Sequence, residues 1–145
     1  MIKRTYIYAK SVKDIDGSIW SQRWPNFSAS EVACKGSGEV WIECEAMDKL
    51  QKMREIVGVA LFITSAYRTP EHNKKVGGSP NSQHVQGRAF DIKTRAKWGA
   101  AELEAVAKAV GFTGIGLYDT FIHVDNRPTG QARWDFRGRK GDGIS

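Results

Sequence analysis

The sequence predicts a single α+β domain in which a small antiparallel sheet is flanked by helices. Residues 43–57 and 98–110 carry apolar side chains at helical spacing, and each stretch is followed by a glycine. Residues 59–64 and 88–93 have the length and composition of strands. Because two short strands with a tight connection follow the second helix, the elements do not alternate strictly, which favours the α+β class.

The chain length fits one domain with an N-terminal extension. A chain of 145 residues can bury a core without disulfides or a structural metal. Residues 1–26 are turn-rich, and we expect them to form an N-terminal arm, with a short strand at 5–9, that packs on the domain formed by residues 27–145. We expect a monomer.

The remaining elements each have a local signal. Ser28 and Glu31 match a capping box, so a short helix is expected to begin there. Thr69 and Pro70 match the cap and first turn of another helix. The continuous apolar run 59–64 predicts a central strand.

The end of the chain combines two strands with a basic tail. Residues 114–118 and 121–125 predict short strands joined by a tight turn. The residues after 125 are rich in arginine and glycine, and we expect a solvated basic tail. Its aromatic and cationic side chains are an alternative contact for an anionic polymer: Arg133, Trp134, Arg137, Arg139 and Lys140.

The net charge and the cysteine content indicate which kinds of molecule the protein could bind and in which compartment it is made. The net charge of +6 favours an anionic partner, such as a wall polymer, nucleic acid or a membrane surface. No zinc-finger, helix-turn-helix or RNA-recognition signature is present, so a nucleic-acid partner is not expected. No apolar run is long enough for a membrane span or a signal-peptide core, so we expect cytoplasmic synthesis without a signal peptide. For Cys34 and Cys44, two reduced thiols are favoured over one disulfide.

Three residues are candidate metal ligands. His84 and Asp91 lie seven positions apart on a loop that enters a predicted strand, and His123 lies in the last predicted strand. Two imidazoles and one carboxylate would leave one position of a tetrahedral zinc ion open, as catalytic zinc requires. By spacing alone, a hydrogen-bonded loop histidine is the alternative. His72 is expected on a helix surface.

The motifs around these residues resemble the M15 family of zinc peptidases. Residues 82–92 read Ser-Gln-His-Val-Gln-Gly-Arg-Ala-Phe-Asp-Ile, residues 65–68 read Ser-Ala-Tyr-Arg, and residues 121–125 read Phe-Ile-His-Val-Asp. The similarity extends over residues 27–134. The family includes D-Ala-D-Ala carboxypeptidases, phage endolysin L-alanyl-D-glutamate peptidases and vancomycin-resistance dipeptidases, and this chain is most similar to its small single-domain members.

The resemblance implies a fold, a cofactor and a reaction. The fold would be the one that D-Ala-D-Ala peptidases share with the hedgehog signalling domain. One Zn²⁺ per chain would be held by His84, Asp91 and His123. The reaction would be hydrolysis of a peptide bond in the peptidoglycan stem peptide by metal-activated water, either as a D,D-carboxypeptidase or as an endolysin-type endopeptidase. The protein would then act on the cell wall after release, or as part of a virion.

The resemblance also implies catalytic roles for individual residues, but it does not identify the general base. Arg68 matches the family arginine, which can fork onto a substrate carboxylate or stabilise the oxyanion. Ser82 would support the loop or contact the substrate. Related enzymes carry an acidic residue or histidine two or three positions before the last histidine, but this chain has threonine and phenylalanine there.

Two aspartates are therefore candidates for the base. Strand alternation places Asp119 and Asp125 on the same face as His123 if the strand is regular. We favour Asp119, and Asp125 would alternatively orient a ligand. The absence of a base at the usual position also permits a second function, that of a catalytically inactive module that binds peptidoglycan or a protein.

Overall fold

The computed structural model describes residues 5–138, which form an α+β domain. Its strands are β1 (Tyr6–Ala9), β2 (Val40–Glu43), β3 (Ile63–Ser65), β4 (Ala89–Lys93), β5 (Gly114–Leu117), β6 (Phe121–Asp125) and β7 (Ala132–Asp135). Its helices are α1 (Gly17–Arg23), α2 (Ala29–Val32), α3 (Cys44–Val57), α4 (Pro70–Lys75) and α5 (Ala100–Val110), with a 3₁₀ turn at Val12–Asp14. The predicted fold class is confirmed.

The main sheet has five strands in the order β3-β4-β6-β5-β7. The first four strands pair antiparallel, as predicted, but β7 pairs with β5 in parallel, so the sheet is mixed. The predicted solvated tail is therefore wrong for the residues that form β7. Their side chains alternate between half-buried and exposed, and this edge pattern, in an arginine-rich segment, gave little strand signal. Arg139 and Lys140 lie outside the described residues.

The prediction of a central strand at 59–64 is also wrong. The strand there is β3, which is short and lies at the edge of the sheet. Val59 is 40% exposed and Phe62 is 52% exposed. The guanidinium of Arg95 lies 5.1 Å from the centre of the Phe62 ring and covers part of its surface. This continuous apolar run therefore includes the edge strand of the sheet, and Phe62 stays about half exposed despite its contact with Arg95.

The N-terminal residues contribute to the same core as the rest of the chain. The predicted short strand is present as β1, which pairs antiparallel with β2, a strand that the sequence did not predict. Trp20 and Trp24 are buried with ring centres 4.7 Å apart, and Trp20 donates its indole N–H to Phe27 O at 2.8 Å. Cys34 and Cys44 are buried free thiols.

The predicted helix starts and ends are present. At α2, Ser28 N donates to Glu31 Oε2 at 2.6 Å, which forms the capping box. At α4, Thr69 Oγ1 accepts from His72 N at 3.2 Å, and Pro70 is the first helical residue. α3 ends at Gly58, whose φ of 76° is left-handed, as glycine allows. Within residues 5–138, no helix is long and apolar enough to cross a membrane.

The sheet separates an apolar core from a polar face. α5 packs against β5 and β6, and α3 packs against α5. The side chains of β4 and β6 that contribute to this core are fully buried and alternate along the strands: Phe90, Ile92, Ile122 and Val124. The intervening side chains therefore point to the opposite face of the sheet. That face carries the candidate site.

Candidate metal centre

Three side chains from two strands and a turn converge on one point. One ligand atom from each of His84, Asp91 and His123 lies within 4.8 Å of the other two. Asp91 Oδ1 is 3.1 Å from His84 Nε2 and 3.1 Å from His123 Nδ1. All three residues are at most 3% exposed. The structure thus brings together the three residues that the sequence predicted as metal ligands, and we call these three residues the metal group.

The register between β4 and β6 positions two of the three side chains, those of Asp91 and His123. Asp91 in β4 is the direct cross-strand partner of His123 in β6. Directly opposed residues of an antiparallel pair have adjacent side chains on the same face. The alternation that buries the apolar neighbours of these residues therefore also brings the carboxylate and the imidazole together.

A tight turn positions His84, the third candidate ligand. His84 N donates to Ser82 Oγ at 3.2 Å, so Ser82 supports the turn, which is one of the two roles expected for it. Gly87 has a left-handed φ of 71°, and a Cβ there would lie 2.3 Å from Trp41 O. Glu43 N donates to Gly87 O at 2.8 Å. The turn is therefore packed against β2 and fixed at both ends.

The outer nitrogen of each imidazole faces a hydrogen-bond acceptor. His84 Nδ1 is 2.6 Å from Ala66 O, and His123 Nε2 is 2.7 Å from Asp125 Oδ2. A carbonyl and an ionised carboxylate can only accept, so these nitrogens carry the protons. In the neutral rings, the lone pairs of the inner nitrogens then face Asp91 Oδ1. Such a group of three donor atoms needs a positive charge at its centre.

The directions of the pKa shifts of His84, His123 and Asp91 also favour a positive charge between these three side chains. Burial lowers the pKa of His84, which favours its neutral, ligand-competent form. Burial also opposes the charged form of His123, but hydrogen bonds to Asp125 and Asp91 outweigh it and raise its pKa. Burial alone would raise the pKa of Asp91, yet the two imidazoles hold it well below its ordinary value. The raised pKa of His123 favours its protonated form when no metal is bound.

Asp125 is held between His123 and an arginine. It is fully buried, and Arg127 approaches it with Nη2 at 2.6 Å from Oδ2 and Nε at 2.9 Å from Oδ1. Burial would raise the pKa of Asp125, but Arg127 and His123 outweigh burial and lower it. Asp125 therefore stays ionised and fixes the orientation of the His123 ring.

Two glycines make room for this arrangement. A Cβ on Gly114 would lie 2.2 Å from Asp125 Oδ1, and a Cβ on Gly116 would lie 2.2 Å from the ring of Trp134. The ring centre of Trp134 lies 5.3 Å from that of His123, and the guanidinium of Arg127 lies 5.3 Å from the centre of the Trp134 ring. Sequence analysis missed Arg127 and the packing of Trp134. The alternating glycines of β5 were the available signal.

Asp119 lies apart from this group. β6 begins at Phe121, so Asp119 belongs to the preceding turn, and the strand alternation expected to align it with His123 does not extend that far. Its side chain is exposed, and its Oδ1 accepts from Gly138 N at 2.8 Å. Its catalytic role remains a prediction.

Arg68 lies beside the metal group in the protein interior. It is 4% exposed, and its Nη2 lies 3.6 Å from Asp91 Oδ2. Its Nε donates to Ser65 Oγ at 3.1 Å, and its Nη1 donates to Asn73 Oδ1 at 3.1 Å. Burial lowers the pKa of this guanidinium, although Asp91 opposes the shift. These contacts fix the position of Arg68 relative to the carboxylate.

The metal group opens onto a groove of about 460 Å³ through Asp91. The groove is lined by Lys35, Thr64, Ser65, Arg68, His72, Val76, Asp91, Lys93, Thr120 and Phe121. His72 reaches the groove from α4 and is not part of the metal group, as expected for a residue on a helix surface. Among the described residues, Ser82 and Asp125 are not part of this lining.

Comparison with known proteins agrees with the geometry. A family model for Peptidase M15 matches residues 25–125, a segment that contains all three members of the metal group and Arg68. A search of curated proteins finds no match. Because the family match covers well over half of the chain, the protein belongs to the peptidase M15 family.

Proposed function

We propose that the protein is a zinc-dependent peptidase that hydrolyses a peptide bond in the peptidoglycan stem peptide. The observation that supports this most directly is the orientation of the two imidazoles. His84 and His123 each give one N–H to a fixed acceptor and turn the other nitrogen toward Asp91. Family membership supports a peptide substrate. The motifs shared with wall-peptide enzymes support the stem peptide in particular.

The donor set suits zinc. Two imidazole nitrogens and one carboxylate oxygen form a common ligand set for catalytic zinc, which keeps a fourth position for water or substrate. Asp91 lines the groove, so the fourth position would face the space where a substrate can enter. Zinc, when bound, would polarise a peptide carbonyl and acidify a water molecule.

The other residues of the site would orient the reactants. Asp125 holds the N–H of His123 and so keeps the opposite nitrogen aimed at the metal position. Arg68 is fixed 3.6 Å from Asp91 and offsets its charge, and it lines the groove, where it would stabilise negative charge that develops on the carbonyl oxygen.

We assign the role of base to Asp119. Both oxygens of Asp125 accept hydrogen bonds from Arg127, and one also faces His123, so its lone pairs are engaged. Asp119 is exposed and directly precedes Thr120, which lines the groove. If its side chain turns toward the groove, this carboxylate would take a proton from water and release it to the leaving amine.

Metal analysis combined with hydrolysis of wall fragments tests the proposal. Protein loaded with zinc and dialysed should retain one zinc per chain and release D-Ala or cleaved stem peptide, as detected by mass spectrometry. Chelator should abolish both results, and added zinc should restore them. His84→Ala should lose the metal, whereas His72→Ala, a control at a groove histidine outside the metal group, should retain it. Zinc-loaded protein that leaves all stem-peptide chemistries intact would contradict the proposal.

A binding module of the same fold is the second candidate. It is favoured by one observation, which is that Thr120 and Phe121 stand where related enzymes place the base. The two candidates differ in the behaviour of the zinc-loaded protein. An enzyme should lose turnover in Asp119→Asn without losing zinc. A binding module should bind stem peptide and leave it uncleaved, and Asp119→Asn should then have no effect.

A further inference from the structure

We propose that Lys35 and Lys93, on two walls of the groove, bind two carboxylates of the substrate and so select acidic peptides. This inference rests on the proposed function, because it treats the groove beside the metal group as the substrate site. It adds the substrate class, an acidic peptide with two free carboxylates.

Strand alternation places Lys93 on the face of β4 that lines the groove. Lys93 is the last residue of β4 and lies two positions after Asp91, so both side chains point to the same face of the sheet. At the spacing of a strand, their Cα atoms are roughly 6 to 7 Å apart. The cross-strand partner of Lys93 is Phe121, which also lines the groove. The ammonium can therefore reach a group bound one residue away from the metal position.

Lys35 belongs to a different wall. It follows α2 and directly precedes Gly36, where a Cβ would lie 2.5 Å from His72 Nδ1. The backbone of Gly36 therefore lies close against His72 of α4, and the neighbouring Lys35 lines the groove together with His72. Lys35 and Lys93 are both exposed, so their ammonium groups can adjust to a bound peptide. The two cations therefore approach the groove from separate elements.

Arg68 already lies beside the carboxylate of Asp91 and is not well placed to bind a carboxylate of the substrate as well. Its three nitrogens face Ser65, Asn73 and Asp91, and the residue is almost fully buried. Much of its charge is therefore offset within the protein. Within residues 5–138, neither Lys35 nor Lys93 forms an ion pair with a carboxylate of the protein. Among the cations of the groove, Lys35 and Lys93 are thus the two that are placed to bind a free carboxylate of the substrate.

The charge of the groove complements an acidic ligand. Asp91 is the single acidic residue among the described lining residues, against the cations Lys35, Arg68 and Lys93. A bound divalent metal would make the groove more positive still. Charge of one sign in a cleft attracts oppositely charged ligands and raises their rate of association. The stem peptide carries a carboxylate on its glutamyl residue and another at its C-terminus, so it has the required chemistry.

The experiment compares lysine variants on peptides that differ by one charge at a time. Lys35→Gln, Lys93→Gln, the double variant and Lys52→Gln are assayed, where Lys52 is an exposed residue of α3 away from the groove. The probes are stem peptides with the glutamyl carboxylate or the C-terminal carboxylate present as the acid or the amide. The measurements are kcat and KM of the zinc-loaded protein and equilibrium binding by the chelated protein.

Each groove variant should raise KM for the diacid about two- to fivefold, as expected for the loss of one exposed ion pair, with little change in kcat. Each variant should also lose discrimination at one carboxylate only, so that the corresponding amide binds the variant and the parent protein equally. The double variant should lose both preferences, and added salt should weaken the parent more than the double variant. Lys52→Gln should behave as the parent.

Two results separate this inference from the proposed function. Cleavage with the same KM in the groove variants and in Lys52→Gln would overturn the role of the lysines and leave the peptidase intact. Absence of cleavage, with acid-over-amide binding that the groove variants abolish, would support the lysines and refute the hydrolase. Equal binding of acid and amide peptides by the parent protein would overturn the inference directly.

Discussion

Both faces of β4 and β6 carry buried side chains, but the two faces depend on different physical interactions. Along β4 and β6, alternate side chains point to opposite faces. The core face consists of apolar side chains with no exposed surface: Phe90, Ile92, Ile122 and Val124. The site face carries Asp91, His123 and Asp125, which are at most 3% exposed. One register therefore sets the packing of the core and the geometry of the metal group.

The comparison teaches where stability and function reside. The apolar face stabilises the fold in proportion to buried area, without regard to direction. The polar face would be unfavourable unless each group had a partner, because buried charges lose their hydration. Among the described residues, no buried polar side-chain atom lacks a hydrogen-bond partner. Changes on the core face should therefore alter stability, and changes on the site face should alter metal binding and activity.

The largest effect is expected from His123→Ala on the site face. The substitution removes one ligand and leaves Asp125 and Arg127 paired with each other. Zinc content should fall well below one per chain, and hydrolysis should fall on the order of a thousandfold or more. Elemental analysis and a peptide-release assay measure the two results. Full zinc occupancy in a folded His123→Ala protein would exclude His123 as a ligand.

Ile122, the neighbour of His123 on the core face, should affect stability and leave zinc binding and activity unchanged. Ile122→Ala leaves a cavity between β6 and the helices and should lower the free energy of unfolding by about 2 to 5 kcal/mol. Where the variant is folded, zinc stoichiometry and kcat should remain close to those of the parent. Urea unfolding of the chelated proteins gives the stability change, and zinc titration gives the stoichiometry. Loss of zinc from folded Ile122→Ala would show that the two faces are coupled.

Asp125→Asn tests the contact between the metal group and its support. The amide keeps the size of the side chain but removes the charge that holds the His123 N–H and pairs with Arg127. Zinc affinity should fall about 10- to 100-fold, as is typical when the partner of a ligating histidine is changed. Competition with a chromophoric chelator measures this. Asp119→Asn is the control, and its affinity should match that of the parent protein.

The sequence predicted most of the site because the site depends on local pattern. Asp91 and His123 were predicted as ligands from the motifs that contain them, and the pairing of β4 with β6 places them on one face of the sheet. The turn that carries His84 was indicated by the motif around Gly87. Each of these features is encoded within a few adjacent residues, so a single sequence reveals them.

The missed features depend on contacts between distant segments. Trp134 packs beside His123 only because β7 adds in parallel to β5, and a parallel edge strand leaves a weak local pattern. Asp119 was aligned with the site on the assumption of a strand that the structure begins at Phe121. The run 59–64 was placed at the centre because composition does not reveal that Arg95 covers Phe62. Partner choice at sheet edges is a tertiary property.

The smallest effect we predict is the pH dependence of stability in the chelated protein. Asp125 has a folded-state pKa below its ordinary value of 3.8, so its contribution is present above 3.8 and is lost as pH falls through that value toward the folded one. His123 has a folded-state pKa above 6.5, so its contribution is present below 6.5 and is lost as pH rises through the higher folded value. Stability of the parent should therefore decrease toward both extremes.

Substitutions on the two faces should change this curve differently. Ile122→Val removes only apolar contact, so it should lower stability by a similar amount at every pH and leave both slopes intact. Asp125→Asn removes one titrating group and the main hydrogen bond that raises the pKa of His123, so both slopes should become shallower. Urea unfolding at intervals between about pH 3 and pH 9 measures the slopes. Parallel curves for Asp125→Asn and the parent would mean that the charges of the site face contribute to folding as the apolar face does, independently of their ionisation.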